Sequence, residues 1–130
     1  MRTVASLLLI TALATAGCAS GGGTGTNADR NRITTEQLAK VTANNAYEAI
    51  QILQPQWLDD RGPTSVTNNE PTTAVVFMDG TRVGGLEYLR SVPITTLGEI
   101  RFLTAGVAGA RYGMGLPRGA IELISKGAIR

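Results

Sequence analysis

The chain lacks histidine altogether and has a single cysteine, Cys18. The commonest general base and the commonest metal ligand are therefore missing. One cysteine excludes an internal disulfide, and it leaves zinc sites and histidine-based nucleophilic triads without their parts. A pair of carboxylates is the remaining means of acid–base catalysis, but the spacing of Asp and Glu in the sequence does not favour such a pair. We predict that the protein is not an enzyme and holds neither a metal nor a cofactor.

The sequence also lacks an excess of charge. Lys+Arg number 12 against Asp+Glu 10, and the basic residues are scattered rather than clustered. Without a basic patch there is no electrostatic footprint for nucleic acid, so that class of partner is excluded. Because 43% of the residues are hydrophobic and only 17% are charged, we expect a folded domain rather than a disordered chain.

The chain has no apolar run long enough for a membrane-spanning helix, which needs about 20 residues. Its longest apolar stretch, residues 4–16, follows Met1 and Arg2 and ends at small residues. This layout is typical of a secretory signal, so we predict a signal peptide over residues 1–17.

The residues around Cys18 resemble the lipobox of bacterial lipoproteins, in which small residues precede a cysteine whose thiol takes a diacylglycerol. The resemblance implies lipidation of Cys18 with acyl chains such as palmitate. The family usually has Leu three residues before the cysteine, whereas this chain has Thr15. Residues 14–16 (Ala-Thr-Ala) are alternatively a site for the ordinary signal peptidase. The non-acidic Ala19 implies, by the same resemblance, anchoring at the periplasmic face of the outer membrane.

Residues 19–32 contain no large apolar side chain and several glycines. They cannot bury surface, so we predict a lipidated flexible tether over residues 18–32 and a folded domain over 33–130.

Helix signals dominate the start of the domain. Thr34 and Gln37 have the spacing of a capping box and predict a short helix over 35–42. A second apolar face predicts a helix over 46–53, which Pro55 ends. Trp57 is interpreted as a residue at the edge of the core, with ligand stacking as the alternative.

Strand signals dominate the rest. Residues 73–78 are apolar on both faces, which suits a central strand, and Asp79-Gly80 indicates a hairpin with a return strand over 81–83. Residues 86–91 predict a short crossover helix. Residues 99–103 and 120–126 alternate, with Ile121 and Leu123 on one side and Glu122 on the other. The predicted class is α+β, with two short N-terminal helices followed by a small mixed sheet.

Four segments resemble the plug domain of TonB-dependent outer-membrane receptors. They are 75–80 (VVFMDG), 100–103 (IRFL), 110–113 (ARYG) and 119–124 (GAIELI). The resemblance spans about residues 33–126 and implies a plug-like fold. Four residues follow residue 126, and a barrel strand takes about 9–11, so we expect a plug without a barrel. The tether also lacks the apolar box by which such receptors engage their energising protein.

We therefore expect an interaction module whose partner is an envelope protein or a separate receptor barrel. Loops on a rigid sheet carry recognition, which favours the hairpin 79–85 and the loop 106–119 as contact surfaces. The residues expected to contact the partner are Asp79, Gly80, Arg82, Arg111, Tyr112 and Gly113. Tight-turn geometry is the alternative role for the glycines. The alternative function is a periplasmic small-ligand-binding module, which a concave pocket near Trp57 or Tyr112 would favour.

Overall fold

The computed structural model describes residues 30–62 and 71–129, so the signal segment, Cys18 and residues up to 29 lie outside the described residues. Within the described part, five strands form one mixed sheet in the order β1-β4-β5-β2-β3. The strands are β1 (Arg32–Thr34), β2 (Val75–Met78), β3 (Thr81–Gly84), β4 (Leu97–Leu103) and β5 (Ala120–Ser125). Strands β2 and β5 are parallel, and the other neighbours are antiparallel. The predicted α+β class with a mixed sheet is confirmed.

Short helices connect these strands. The α-helices are α1 (Thr35–Lys40), α2 (Ala46–Leu53) and α3 (Ala105–Tyr112), and 3-10 turns span Pro55–Leu58, Leu86–Ser91 and Ile94–Thr96. Helix α1 begins at a capping box, in which the Gln37 amide donates to Thr34 Oγ1 and the Thr34 amide donates to Gln37 Oε1. No helix in the described ranges is long and apolar enough to cross a membrane.

One side of the sheet, here called the apolar face, packs against α1, α2 and the 3-10 turns. Alternation in β4 and β5 sends Ile100, Ile121 and Leu123 to this side, where each is fully buried. Helix α2 presents Ala46, Ala49 and Ile50 to them at i, i+3 and i+4. Each large apolar side chain buried here contributes about 1.5–3 kcal/mol, so this face supplies most of the stability.

The other side of the sheet is covered by α3 at one end only. Val75, Phe77, Leu103 and Ala120 form a smaller cluster there with Ala108 and Leu116. The chain enters β5 through Gly119, whose φ of +77° suits glycine and where a Cβ would collide with the carbonyl of Leu103. Because Gly119 lies so close to the backbone of β4, the segment between α3 and β5 returns directly to the sheet.

Helix α3 corrects a sequence prediction, because Gly106 to Tyr112 were expected to belong to a loop. Two glycines and no side-chain cap make this segment a poor helix former in isolation. Tertiary packing decides the outcome: Ala108 is fully buried against the sheet, and Tyr112 follows it at i+4. The predicted crossover helix at Leu86–Ser91 is a 3-10 helix.

The predicted boundary of the tether at residue 32 falls inside β1. Arg32 pairs with Arg101, Ile33 pairs with Ile100, and the amide of Phe102 donates to the carbonyl of Asn31 at 2.8 Å. The polar residues Asn31 and Arg32 gave no strand signal in the sequence. Backbone pairing to β4 does not require apolar side chains, so β1 forms there nonetheless. The ordered domain therefore starts before residue 33.

Candidate functional site

The part of the second sheet side that α3 leaves uncovered carries charged residues. Glu99 in β4 and Glu122 in β5 point to this side, because they alternate with the residues of the apolar face. The sequence pattern predicts Glu122 on the side opposite Ile121 and Leu123, and in the structure it is only 2% exposed. Arginines and a tyrosine from neighbouring elements surround the two carboxylates. We call this surface the arginine face, and it comprises Arg32, Arg82, Glu99, Arg101, Arg111, Tyr112 and Glu122.

Arginines from two neighbouring strands contact the carboxylate of Glu99. Arg32 of β1 places Nε 3.2 Å from Glu99 Oε1, and Arg101 of β4 donates from its own Nε to the same oxygen. The register of β1 and β4 sets Arg32 directly opposite Arg101, so both guanidinium groups reach one carboxylate. The hydrogen bond to Glu99 raises the pKa of Arg101, which keeps its positive charge fixed.

Glu122 is held by the end of α3. Arg111 Nη2 lies 3.0 Å from Glu122 Oε1, and the Tyr112 hydroxyl donates to the same oxygen at 2.6 Å. The second oxygen, Oε2, is buried and has no hydrogen-bond partner among the described residues. Burial, followed by the hydrogen bond to Glu122, raises the pKa of Tyr112 to about 12. Tyr112 therefore stays protonated and acts as a donor at neutral pH.

Tyr112 also connects the helix to the hairpin. Its ring stacks on Phe77 with centroids 3.9 Å apart and planes 13° apart. Arg82 of β3 lies opposite Phe77 in the register of the hairpin, so it shares this side of the sheet. Three of the residues expected to contact a partner, Arg82, Arg111 and Tyr112, are thus brought to one surface.

The other three residues of that expectation have roles in backbone geometry. Asp79 and Gly80 form the hairpin turn with φ values of +48° and +86°, and Asp79 Oδ1 accepts from the amide of Ser125 at 2.9 Å. Gly113 has a φ of +93° and ends α3, and its amide donates to the carbonyl of Gly109. For these positions the structure favours the tight-turn alternative.

Four residues of the arginine face were not singled out from the sequence, namely Arg32, Glu99, Arg101 and Glu122. A signal for three of them was present, because Glu99, Arg101 and Glu122 alternate with apolar residues in two strands. Such alternation ordinarily indicates a solvated side. The pairing of β4 with β5 places Arg101 opposite Glu122, which only the register reveals.

A cleft of about 440 Å³ lies at the end of the sheet where β4 ends and β5 begins. Arg30, Arg61 and Arg118 line it, together with Asp59 and Phe102. Trp57 stacks against Phe102 with centroids 5.7 Å apart, but it is only 4% exposed. The prediction that Trp57 belongs to the core is confirmed, and both Trp57 and Phe102 line the cleft. Around Tyr112, Phe77 stacks on the ring and Glu122 accepts from the hydroxyl.

Within residues 30–62 and 71–129, no three His, Cys, Asp or Glu side chains come together in a way that would hold a metal ion. Comparisons of the chain with protein families, with curated proteins and with solved structures found no match.

Proposed function

We propose that this chain is a non-enzymatic interaction module, tethered by a lipid on Cys18 to the periplasmic face of the outer membrane. Its plug-like domain binds an acidic segment of an envelope protein, such as a separate receptor barrel, through the arginine face. The signal-like start and the small residues before Cys18 support the anchoring. Two or more acyl chains would hold the domain firmly at the membrane.

The observation that carries the proposal is the exposure of the arginines. The side chains of Arg32, Arg101 and Arg111 are 50%, 39% and 49% exposed, whereas the glutamates that they contact are buried. A guanidinium has five N–H donors. Each of the three arginines makes one close contact with a carboxylate oxygen. Because the side chains are partly exposed, an incoming carboxylate can reach these guanidinium groups, whose planar fork matches its geometry.

The stability of the fold alone does not account for this cluster. Buried ion pairs cost desolvation that often matches their attraction, so apolar residues of similar volume would stabilise the sheet equally well. With Arg82 included, four arginines stand against two glutamates, which leaves the surface positive. Arg and Tyr are also the residue types that most often dominate binding at interfaces.

The edges of the described sheet are less suited to recognition than its side. Edge strand β1 has three residues, and edge strand β3 has four with an irregular register between Val76 and Phe77 of its partner. Short and bulged edges discourage the addition of a further strand. Side-chain contacts on the arginine face are therefore the favoured mode.

A crosslinking experiment tests the proposal. The full-length chain would be expressed in a double-membrane bacterium with a photocrosslinking amino acid at position 82, on the arginine face. A matched chain would carry it at position 52, where Ile52 is 57% exposed and belongs to α2 on the other side of the sheet. We expect one envelope protein to be trapped from position 82 and not from position 52.

Charge reversal then tests the chemistry of the contact. Arg82→Glu should abolish binding of the trapped partner, whereas Arg61→Glu, an equal charge change away from the arginine face, should preserve it. Equal trapping from positions 82 and 52 would overturn the assignment of the surface. Anchoring is tested separately by intact mass: the wild type should carry a diacylglycerol that Cys18→Ser lacks, and its absence would overturn the tether alone.

A further inference from the structure

We propose that the cleft lined by Arg30, Arg61 and Arg118 binds a small organic oxyanion that carries a flat ring, such as an aromatic carboxylate. This site is distinct from the arginine face. It is formed at the end of the sheet, where β4 leads into α3 and the chain enters β5, and its ring, Phe102, belongs to the apolar face. The inference does not depend on the lipid or on a protein partner.

The charge of the lining favours an anion. Three arginines converge on the cleft, and Asp59 is the acidic residue among the lining side chains. The chain as a whole has a formal charge of only +2, so positive charge is concentrated at this position. A concave surface with low-dielectric walls strengthens the field of such a cluster. Guanidinium groups match the planar geometry of carboxylate oxygens.

Arg118 gives the site a fixed donor. Its Nη2 donates to the carbonyl of Gly62 at 2.5 Å and approaches the carbonyl of Arg61 at 3.4 Å, which holds the guanidinium in place. Its Nε is buried and has no acceptor among the described residues. A buried donor without a partner is costly, and an oxyanion in the cleft that Arg118 lines would gain a charge-assisted hydrogen bond from its guanidinium.

The remaining walls suit a flat apolar group. Phe102 is half-buried, and Trp57, which also lines the cleft, stacks on it with ring centroids 5.7 Å apart. Ala74, Ala105 and Pro117 contribute small apolar surfaces next to it. A ring placed against Phe102 would bury apolar area and gain the offset stacking that aromatic pairs prefer. The volume of about 440 Å³ lies in the range of small-molecule sites.

The test uses chemical shifts of the ¹⁵N-labelled domain with 2-naphthoate as the probe. The Arg118 Nε–H resonance and the backbone amides around Phe102 report on the site directly. Acetate, which has the charge without the ring, and 2-naphthylmethanol, which has the ring without the charge, are the matched ligands. We expect saturable shifts at Arg118 and Phe102 with 2-naphthoate, and affinities at least about tenfold weaker for the two controls.

Variants complete the test. Arg61→Gln, at an exposed position on the rim, should weaken 2-naphthoate about threefold or more, and Arg118→Lys should weaken it about tenfold, since a lysine lacks the planar fork. Arg82→Gln, which removes an exposed arginine outside the cleft, should leave the affinity unchanged. Absent shifts, shifts centred elsewhere, or equal binding of acetate would overturn the inference. So would binding confined to vesicles of anionic phospholipid, which would make the oxyanion a lipid headgroup.

Discussion

The two sides of the sheet are made by the same strands, but they are built on different chemistry. On the apolar face, Ile100, Ile121 and Leu123 are fully buried beneath helices that begin with well-formed caps. On the other side, Glu99 and Glu122 are almost as deeply buried, yet arginines and Tyr112 rather than apolar side chains contact their carboxylates. Burial therefore stabilises the fold on one side and, on the other, positions charged groups at the surface.

The difference shows how one strand can serve two purposes. Successive residues of β4 and β5 point in opposite directions, so a change on one side need not disturb the other. The apolar face fixes the register of the strands, since a shift by one residue would expose its isoleucines. That register in turn places Arg101 between Arg32 on one neighbouring strand and Glu122 on the other.

The largest expected effect is on the apolar face. Ile100→Ala should lower the free energy of unfolding by about 2–5 kcal/mol, because it leaves a cavity among residues that cannot relax into it. Chemical denaturation monitored by circular dichroism measures this change. The control is Ile52→Ala at an exposed helical position, for which we expect a change within about 0.5 kcal/mol. A loss for Ile100→Ala no greater than that of the control would mean that this face does not carry the stability.

A smaller effect is expected beneath the arginine face. Glu122→Ala should cost about 1–3 kcal/mol, because the Tyr112 hydroxyl loses its acceptor and Arg111 loses its counter-ion. Arg111 is about half exposed, so water can solvate it and limit the cost. Denaturation midpoints of this variant and of Glu36→Ala, an exposed glutamate in α1, give the comparison. If Glu122→Ala cost more than Ile100→Ala, the contrast between the two sides would be wrong.

Tyr112 gives the arginine face a pH dependence. Its pKa is raised from an unfolded value of 10.0 to about 12, so folding favours the protonated hydroxyl. The stabilisation is fully present below pH 10 and is lost as the pH rises through about 12. Denaturation at several alkaline pH values should show this loss in the wild type and a smaller one in Tyr112→Phe. Identical slopes for the two proteins would contradict the raised pKa.

The smallest effect on stability is expected at Arg82. This side chain is exposed and forms no ion pair with the described residues, so Arg82→Gln should change the free energy of unfolding by less than about 0.5 kcal/mol. The same substitution should weaken binding of the protein trapped at position 82. A variant that loses stability instead of binding would assign Arg82 to the fold rather than to recognition.

Local sequence signals were sufficient to predict helix starts and the hairpin turn, where the side chain favours the backbone conformation that the fold adopts. The capping residues Thr34 and Asn45 stand at the starts of α1 and α2, and Asp79-Gly80 turns the chain between β2 and β3. Helix α3 was missed because its glycines oppose helix formation locally, and packing of Ala108 on the sheet overrides that preference. Arg32 was assigned to the tether because its strand is formed by pairing with β4 rather than by its own side chain.

The sequence by itself determined the α+β class, the alternation of β4 and β5 and the turn at Asp79-Gly80, since each depends on neighbouring residues and their intrinsic preferences. Only the tertiary structure decided that Glu122 is buried, that Arg32 and Arg101 converge on Glu99, and that three arginines separated along the chain line one cleft. These arrangements depend on strand order and register, which join residues distant in sequence. For this reason, arginines that are scattered along the chain lie together on the surface of the folded domain.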